Sequence, residues 1–151
     1  MKHNSNESSN NFKNYNISSD DMEELRLLNI QLGADIIAII SDILSYTSTR
    51  QSIDLVYSKY NGEPGDVTMP DVTALESLYV GLIARFIYTE ISFIRYDHLY
   101  EKYMNGEIEY SLQPDLDIIN GNMLRNIGVF YSIRGAWGIY DRDTNQPVFG
   151  I

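Results

Sequence analysis

Asp97, His98 and Glu101 form a small group of side chains that could bind a metal ion or move a proton. On a helix, residues three apart lie on one side, so the His98 imidazole and the Glu101 carboxylate would be neighbours. The only other histidine is His3, and the Glu-x-x-His motif of di-iron helical bundles does not occur. The three residues are therefore weak candidates for a metal site, and an ordinary surface contact is the simpler interpretation.

Other chemical signatures are missing from the sequence. The chain has no cysteine, which excludes disulfides, thiolate metal sites and a cysteine nucleophile. It also lacks a phosphate-binding loop, a dinucleotide fingerprint, a nucleophile elbow and zinc-ligand spacing. We therefore expect no catalytic residues and no cofactor, and an enzyme is the least favoured class.

Glu90 is the most unusual single residue, because a helical wheel places it among Phe86, Ile83 and other apolar side chains. A carboxylate that faces a core must be paired, hydrogen-bonded or protonated. Arg134 lies in the apolar arc of a later helix, and Arg125 is a second candidate partner. The sequence predicts a buried interhelical salt bridge; the alternatives are a rotated helix with Glu90 in solvent, or a functional acid.

Asp35 and Asp42 lie seven residues apart in the isoleucine-rich stretch GADIIAIISDIL. On the wheel, both aspartates share one arc with Ser41, while the isoleucines fill the opposite arc. This segregation is typical of an amphipathic helix, and it predicts that the two aspartates are solvated surface residues.

Gly121, Gly128 and Gly135 repeat every seven residues, with Ser132 beside them. Each glycine inside a helix costs about 1 kcal/mol relative to alanine. The repeat therefore predicts a stripe of close helix packing, either in a soluble bundle or between membrane helices. A helix broken at Gly121 is the alternative.

Three long segments have helical periodicity and helix-capping signals, at about 21–47, 70–104 and 114–140. Short loops separate them, which favours an antiparallel up-down-up bundle of the all-α class. Residues 1–18 are rich in Asn and Ser and read as a disordered tail, and the C-terminal tail looks irregular. We therefore expect one helical domain over 19–151.

The chain has a formal net charge of −10, and its 11 Lys and Arg residues are scattered. This pattern argues against a nucleic-acid partner, which needs a basic face. The N-terminal stretch has no apolar core of a secretory signal, and stretches free of charge run only about eight residues. A cytoplasmic protein is the first expectation, and a membrane location is the alternative. The Ile, Asn and Tyr usage resembles that of an AT-rich bacterial or phage genome.

The 12 tyrosines and the glycine stripe favour a protein that acts by binding a protein partner or copies of itself. The alternative is a membrane-embedded or membrane-associated three-helix protein, in which several charges would need partners. A carboxylate-rich metal-binding protein is the second alternative.

Overall fold

The computed structural model describes residues 17–145, and within that range the chain forms three α-helices and no strand. They are α1 (Ser19–Asn61), α2 (Met69–Met104) and α3 (Gln113–Asn145). The predicted all-α class with three long helices is confirmed. The predicted disordered tail, except for residues 17 and 18, lies outside the described residues, as does the end of the predicted C-terminal tail.

Helix α1 is longer than the sequence pattern predicted. It begins after Ser18, whose hydroxyl accepts a hydrogen bond from the Asp21 amide at 3.1 Å. The predicted end near residue 47 is wrong, because the hydroxyls of Thr47 and Thr49 donate to carbonyls four residues earlier and the helix continues through them. The helix ends at Gly62, whose φ of 73° lies in the left-handed region that glycine adopts without strain.

The boundaries of α2 and α3 lie closer to the prediction. Pro70 lies in the first turn of α2, where its missing N–H removes no helical hydrogen bond. The helix ends before Asn105 and Gly106, as the sequence indicated. The connection over 107–112 contains no strand, and α3 continues to Asn145, beyond its predicted end near residue 140.

Helices α1 and α2 run antiparallel, which their contacts show at both ends. The Lys102 ammonium lies 2.6 Å from the Asp20 carboxylate, and the Ser48 hydroxyl donates to the Pro70 carbonyl at 2.8 Å. Helix α3 packs on α2 and not on α1 within the described residues. The predicted up-down-up order is present, with α2 in the middle of the layer.

Small and polar side chains occupy the middle of the α1–α2 interface, with leucines toward its ends. The α1 residues that face α2 repeat every seven positions, and this inner α1 seam consists of Leu27, Ala34, Ser41, Ser48 and Leu55. Ser41 donates to the Ser77 carbonyl and Ser77 donates to the Ser41 carbonyl, both at 2.9 Å. A Cβ on Gly81 would lie 2.7 Å from the Ser41 hydroxyl oxygen. The helices therefore approach closely where their side chains are smallest.

The large apolar side chains of α1 lie on the opposite side of the helix. Ile36, Ile39, Ile40 and Ile43 are between 46% and 58% exposed. Ala34 and Ser41, on the side of α1 predicted to be solvated, face α2, and the isoleucine side faces outward. The prediction that the isoleucine side is buried was wrong, because Leu27, Ala34 and the hydrogen-bonded Ser41, and not the isoleucines, form this interface.

Candidate functional site

The structure places the predicted buried charges on the surface. Glu90, Arg125 and Arg134 are all exposed, and none takes part in an ion pair among residues 17–145. The Phe86 and Phe130 rings meet edge to face at 6.1 Å, which sets the alignment of α2 and α3. In that alignment Arg134 lies about two turns from Glu90, roughly 12 Å along the helix axis. The predicted Glu90–Arg134 salt bridge is therefore not formed.

The glycine stripe of α3 also lies away from the helix contacts. A Cβ on Gly121, Gly128 or Gly135 would meet no atom within 4 Å, and Ser132 only donates to the Gly128 carbonyl of its own helix. These glycines make no close contact with another of the described helices, and close packing there against a partner stays a prediction. The buried stripe of α3 has the same seven-residue repeat two positions earlier, at Ile119, Asn126 and Ile133.

The candidate metal ligands lie at an open end of the layer. Asp97, His98 and Glu101 are exposed, and no group of three or more His, Cys, Asp or Glu side chains in residues 17–145 could hold a metal ion. Beside them, the Lys102–Asp20 ion pair joins the start of α1 to the end of α2. The hydrogen bond and charge of Lys102 hold the pKa of the Asp20 carboxyl below its usual value. At this end, charged side chains therefore hold α1 and α2 together.

The other end of α2 contains a carboxylate with incomplete hydrogen bonding. One oxygen of Asp71 is buried and has no hydrogen-bond partner. Burial, followed by the nearby Asp143 carboxylate, raises the pKa of the Asp71 carboxyl, and the Arg142 guanidinium opposes that shift. Asp71 also lies in the first turn of α2, where the helix dipole favours a negative charge.

Asp35 and Asp42 are both exposed, as predicted, and Asp35 also contacts a neighbouring helix. The Tyr88 hydroxyl of α2 donates to its carboxylate at 2.6 Å. Burial, with the hydrogen bond and charge of Asp35, raises the pKa of Tyr88 to about 12. The phenol therefore stays protonated at neutral pH and holds α1 against α2.

A polar groove lies between α1 and α3, and α2 forms its floor. It has a volume of about 220 Å³, and its charged lining comes from Asp42, Arg85 and Arg125, one from each helix. Tyr88 and Asn122 lie beside them. No ion pair in the described range joins the three charges. Because its tyrosine is protonated, the groove can donate and accept hydrogen bonds, but Tyr88 does not act as a base there at neutral pH.

The most extensive surface feature is an apolar stripe on the outer side of α1. Its positions alternate three and four residues apart, and every one is exposed. This outer α1 stripe consists of Met22, Leu25, Asn29, Leu32, Ile36, Ile39, Ile43, Tyr46, Arg50, Ile53, Tyr57 and Tyr60. It lies about 160° around the helix from the inner α1 seam, at 100° per residue.

A second apolar surface spans α2 and α3. Ile83 and Phe86 of α2 are 53% and 48% exposed, and Ile127 and Phe130 of α3 are 51% and 52% exposed. The Trp137 indole donates to the Tyr79 hydroxyl at 2.9 Å along the same contact. Glu90 and Arg134 interrupt this surface with charge, so it is less continuous than the outer α1 stripe.

Sequence reasoning missed the outer α1 stripe, although its signal was present. Apolar residues recur with a mean spacing of 3.5 from residue 22 to residue 60, which is the heptad spacing of coiled coils. The wheel identified the isoleucine arc correctly but assigned it to the interior. Comparison with protein-family models, with curated proteins and with solved structures found no match to this chain.

Proposed function

We propose that this protein is a helical assembly protein that acts by binding protein, in the first place copies of itself, through its outward-facing apolar side chains. The observation that carries the proposal is the reversed distribution of side chains. Small or polar side chains make up half of the buried positions between the helices, and the other half are Leu and Ile, whereas most of the large apolar side chains of the described residues, including Phe86, Phe130 and Trp137, are exposed.

This distribution is costly for an isolated chain in water. Monomeric soluble proteins rarely expose a continuous apolar patch larger than a few hundred Å². The outer α1 stripe alone has ten large apolar side chains that are between 39% and 84% exposed. At roughly 100 Å² each, they come to about 1,000 Å², or on the order of 25 kcal/mol of hydrophobic free energy before the costs of association. A protein partner that covers the stripe recovers part of that free energy.

The chemistry of the described residues also supports binding over catalysis. One end of the layer holds ion pairs between α1 and α2, and the polar groove holds a protonated tyrosine. A strongly negative net charge of −10 limits nonspecific aggregation of such an apolar surface, because the copies repel one another until specific contacts form.

A membrane protein is the second candidate, and one observation favours it. Helices α1 and α2 each contain a stretch long and apolar enough to cross a bilayer. Against it, Glu90 on α2 and Arg134 on α3 are exposed and interrupt the apolar surface that lipid would cover. A charge at the bilayer centre costs about 2.5–3.5 kcal/mol or more.

The test is light scattering of the purified full-length chain over a wide concentration range, combined with fractionation of the producing cells. We expect a soluble protein whose mass is a defined multiple of 17.3 kDa and falls toward the monomer on dilution. A monomer at every concentration, with no bound protein, would contradict the proposal. Recovery in a membrane pellet that resists carbonate washing would favour the membrane candidate instead.

A further inference from the structure

We infer that the outer α1 stripe is the seam of a parallel, in-register coiled coil between α1 and the same helix of a second copy. The inference rests on the proposed self-association and adds to it the surface, the partner helix and its direction. The inner α1 seam would stay packed against α2. Each α1 would therefore lie between its own α2 and the α1 helix of the second copy.

The length and spacing of the stripe favour a helix over lipid as the occupant. The stripe keeps its three-four alternation from residue 22 to residue 60, which is roughly 57 Å at 1.5 Å per residue. The hydrocarbon core of a bilayer is only about 30 Å thick. A sustained repeat of 3.5 keeps a seam facing one partner helix, and lipid contact does not require it.

Asn29 indicates the direction of the partner helix. The seven positions of a coiled-coil repeat are lettered a to g, and positions a and d face the partner helix. Asn29 occupies an a position, and Leu25 and Leu32 occupy the d positions on either side of it. A parallel, in-register pair places Asn29 opposite its own copy, where two amides can hydrogen-bond. An antiparallel pair matches a positions with d positions, and every d position of the stripe is apolar. Only the parallel arrangement therefore gives the Asn29 amide a polar partner.

The other charges around the stripe are compatible with this arrangement. Arg50 also occupies an a position, and the Asp54 carboxylate lies 3.5 Å from its guanidinium on the same helix, which offsets the repulsion between two copies. Asp21 and Arg26 flank the seam at g and e positions, where opposite charges on two parallel helices meet.

The surface is large enough for a stable dimer. Ten apolar side chains with 39% to 84% exposure correspond to about 1,000 Å² per copy, at roughly 100 Å² each. A stable interface of standard size buries about 800 Å² per partner.

Disulfide trapping tests the inference directly, because the full-length chain has no cysteine of its own. Ile39→Cys places one thiol in the seam at a d position, and Ile83→Cys is the matched control at a similarly exposed isoleucine of α2. In a glutathione redox buffer, we expect about tenfold more disulfide-linked dimer for Ile39→Cys, because only facing Cβ atoms come within about 4 Å. Circular dichroism verifies that both variants are folded.

A mixed experiment tests the direction. Chains with Leu25→Cys and chains with Tyr57→Cys are mixed, and the linked products are identified by mass. We expect each variant to link only to its own kind, and mixed Leu25→Cys to Tyr57→Cys dimers would overturn the parallel arrangement.

Failure of this inference differs from failure of the proposed function. If light scattering shows an oligomer but Ile39→Cys links no better than Ile83→Cys, the inference is wrong and the proposed self-association stands. If the chain is a monomer with no bound protein, or is recovered only in membranes, both are wrong.

Discussion

The replacement Gly81→Ala provides a quantitative test of the α1–α2 interface. The added Cβ would lie 2.7 Å from the Ser41 hydroxyl oxygen, closer than real Cβ contacts allow, and 3.5 Å from the Ser41 Cβ, which is an ordinary contact. The Ser41 hydroxyl would have to rotate away. It would then lose the hydrogen bond that it donates to the Ser77 carbonyl at 2.9 Å.

Two opposing effects of similar size determine the result. Replacement of a helical glycine by alanine stabilises a helix by about 1 kcal/mol. Loss of the Ser41 hydrogen bond costs about 1 kcal/mol, while the Ser77 carbonyl keeps its helical partner four residues later. We therefore expect Gly81→Ala to leave the free energy of unfolding unchanged or slightly lower.

Gly33→Ala is the matched control. Gly33 lies inside α1, and a Cβ there would meet no atom within 4 Å. This variant should gain the full amount, about 1 kcal/mol, which corresponds to roughly 2–4 °C in Tm for a chain of this size.

The assay is urea unfolding followed by circular dichroism, at one protein concentration for all variants. In a Ser41→Ala background the obstructing oxygen is absent, so Gly81→Ala should become stabilising by about 1 kcal/mol, while the effect of Gly33→Ala should not change. If Gly81→Ala stabilises the unmodified chain as much as Gly33→Ala does, the close approach of α1 and α2 at Gly81 is refuted.

Three further predictions follow from individual contacts. Tyr88→Phe removes the hydrogen bond to Asp35 and should lower the free energy of unfolding by about 1 kcal/mol. In a titration followed by absorbance, one tyrosine of the wild-type chain should ionise near pH 12, and that tyrosine should be missing from the variant. The raised pKa of Asp71 means that its ionisation disfavours the folded state above its usual value of 3.8 and has no effect well below it. Asp71→Asn should therefore raise Tm at pH 7 but not at pH 3 in thermal melts, and an equal rise at both pH values would contradict this. Gly62→Ala should destabilise by about 1 kcal/mol because φ is +73°, whereas Gly128→Ala should stabilise by a similar amount, and urea unfolding distinguishes the two.

Sequence patterns located the helices well but not their contacts. The proline at residue 70 and the Asn105-Gly106 pair mark the ends of α2 through backbone chemistry that is local to the chain. The predicted end of α1 near residue 47 followed the low helix propensity of threonine, but Thr47 and Thr49 lie inside one uninterrupted helix, where their hydroxyls donate to carbonyls one turn back.

The side of each helix that is buried could not be predicted, because it depends on what covers the other side. A wheel shows that Ile36 and Ser41 lie on different arcs, but the rule that the apolar arc is internal holds for a monomer in water. The glycine repeat of α3 illustrates the same limit. Its spacing of seven equals that of the buried stripe at Asn126, yet the sequence does not show which of two parallel stripes meets α2.

Because α2 is the only described helix that contacts both of the others, the helices form a linear series of neighbours. In such a series the stability is close to a sum of nearest-neighbour interfaces, as in repeat proteins. Release of α3 would break its interface with α2 and leave the Ser41–Ser77 hydrogen bonds of the α1–α2 hairpin in place. The amides of α3 should therefore exchange with solvent through a partial opening of lower free energy than global unfolding. An assembly held together by α1 would therefore tolerate reversible undocking of α3. Regulation that acts on α3 would leave the oligomer intact.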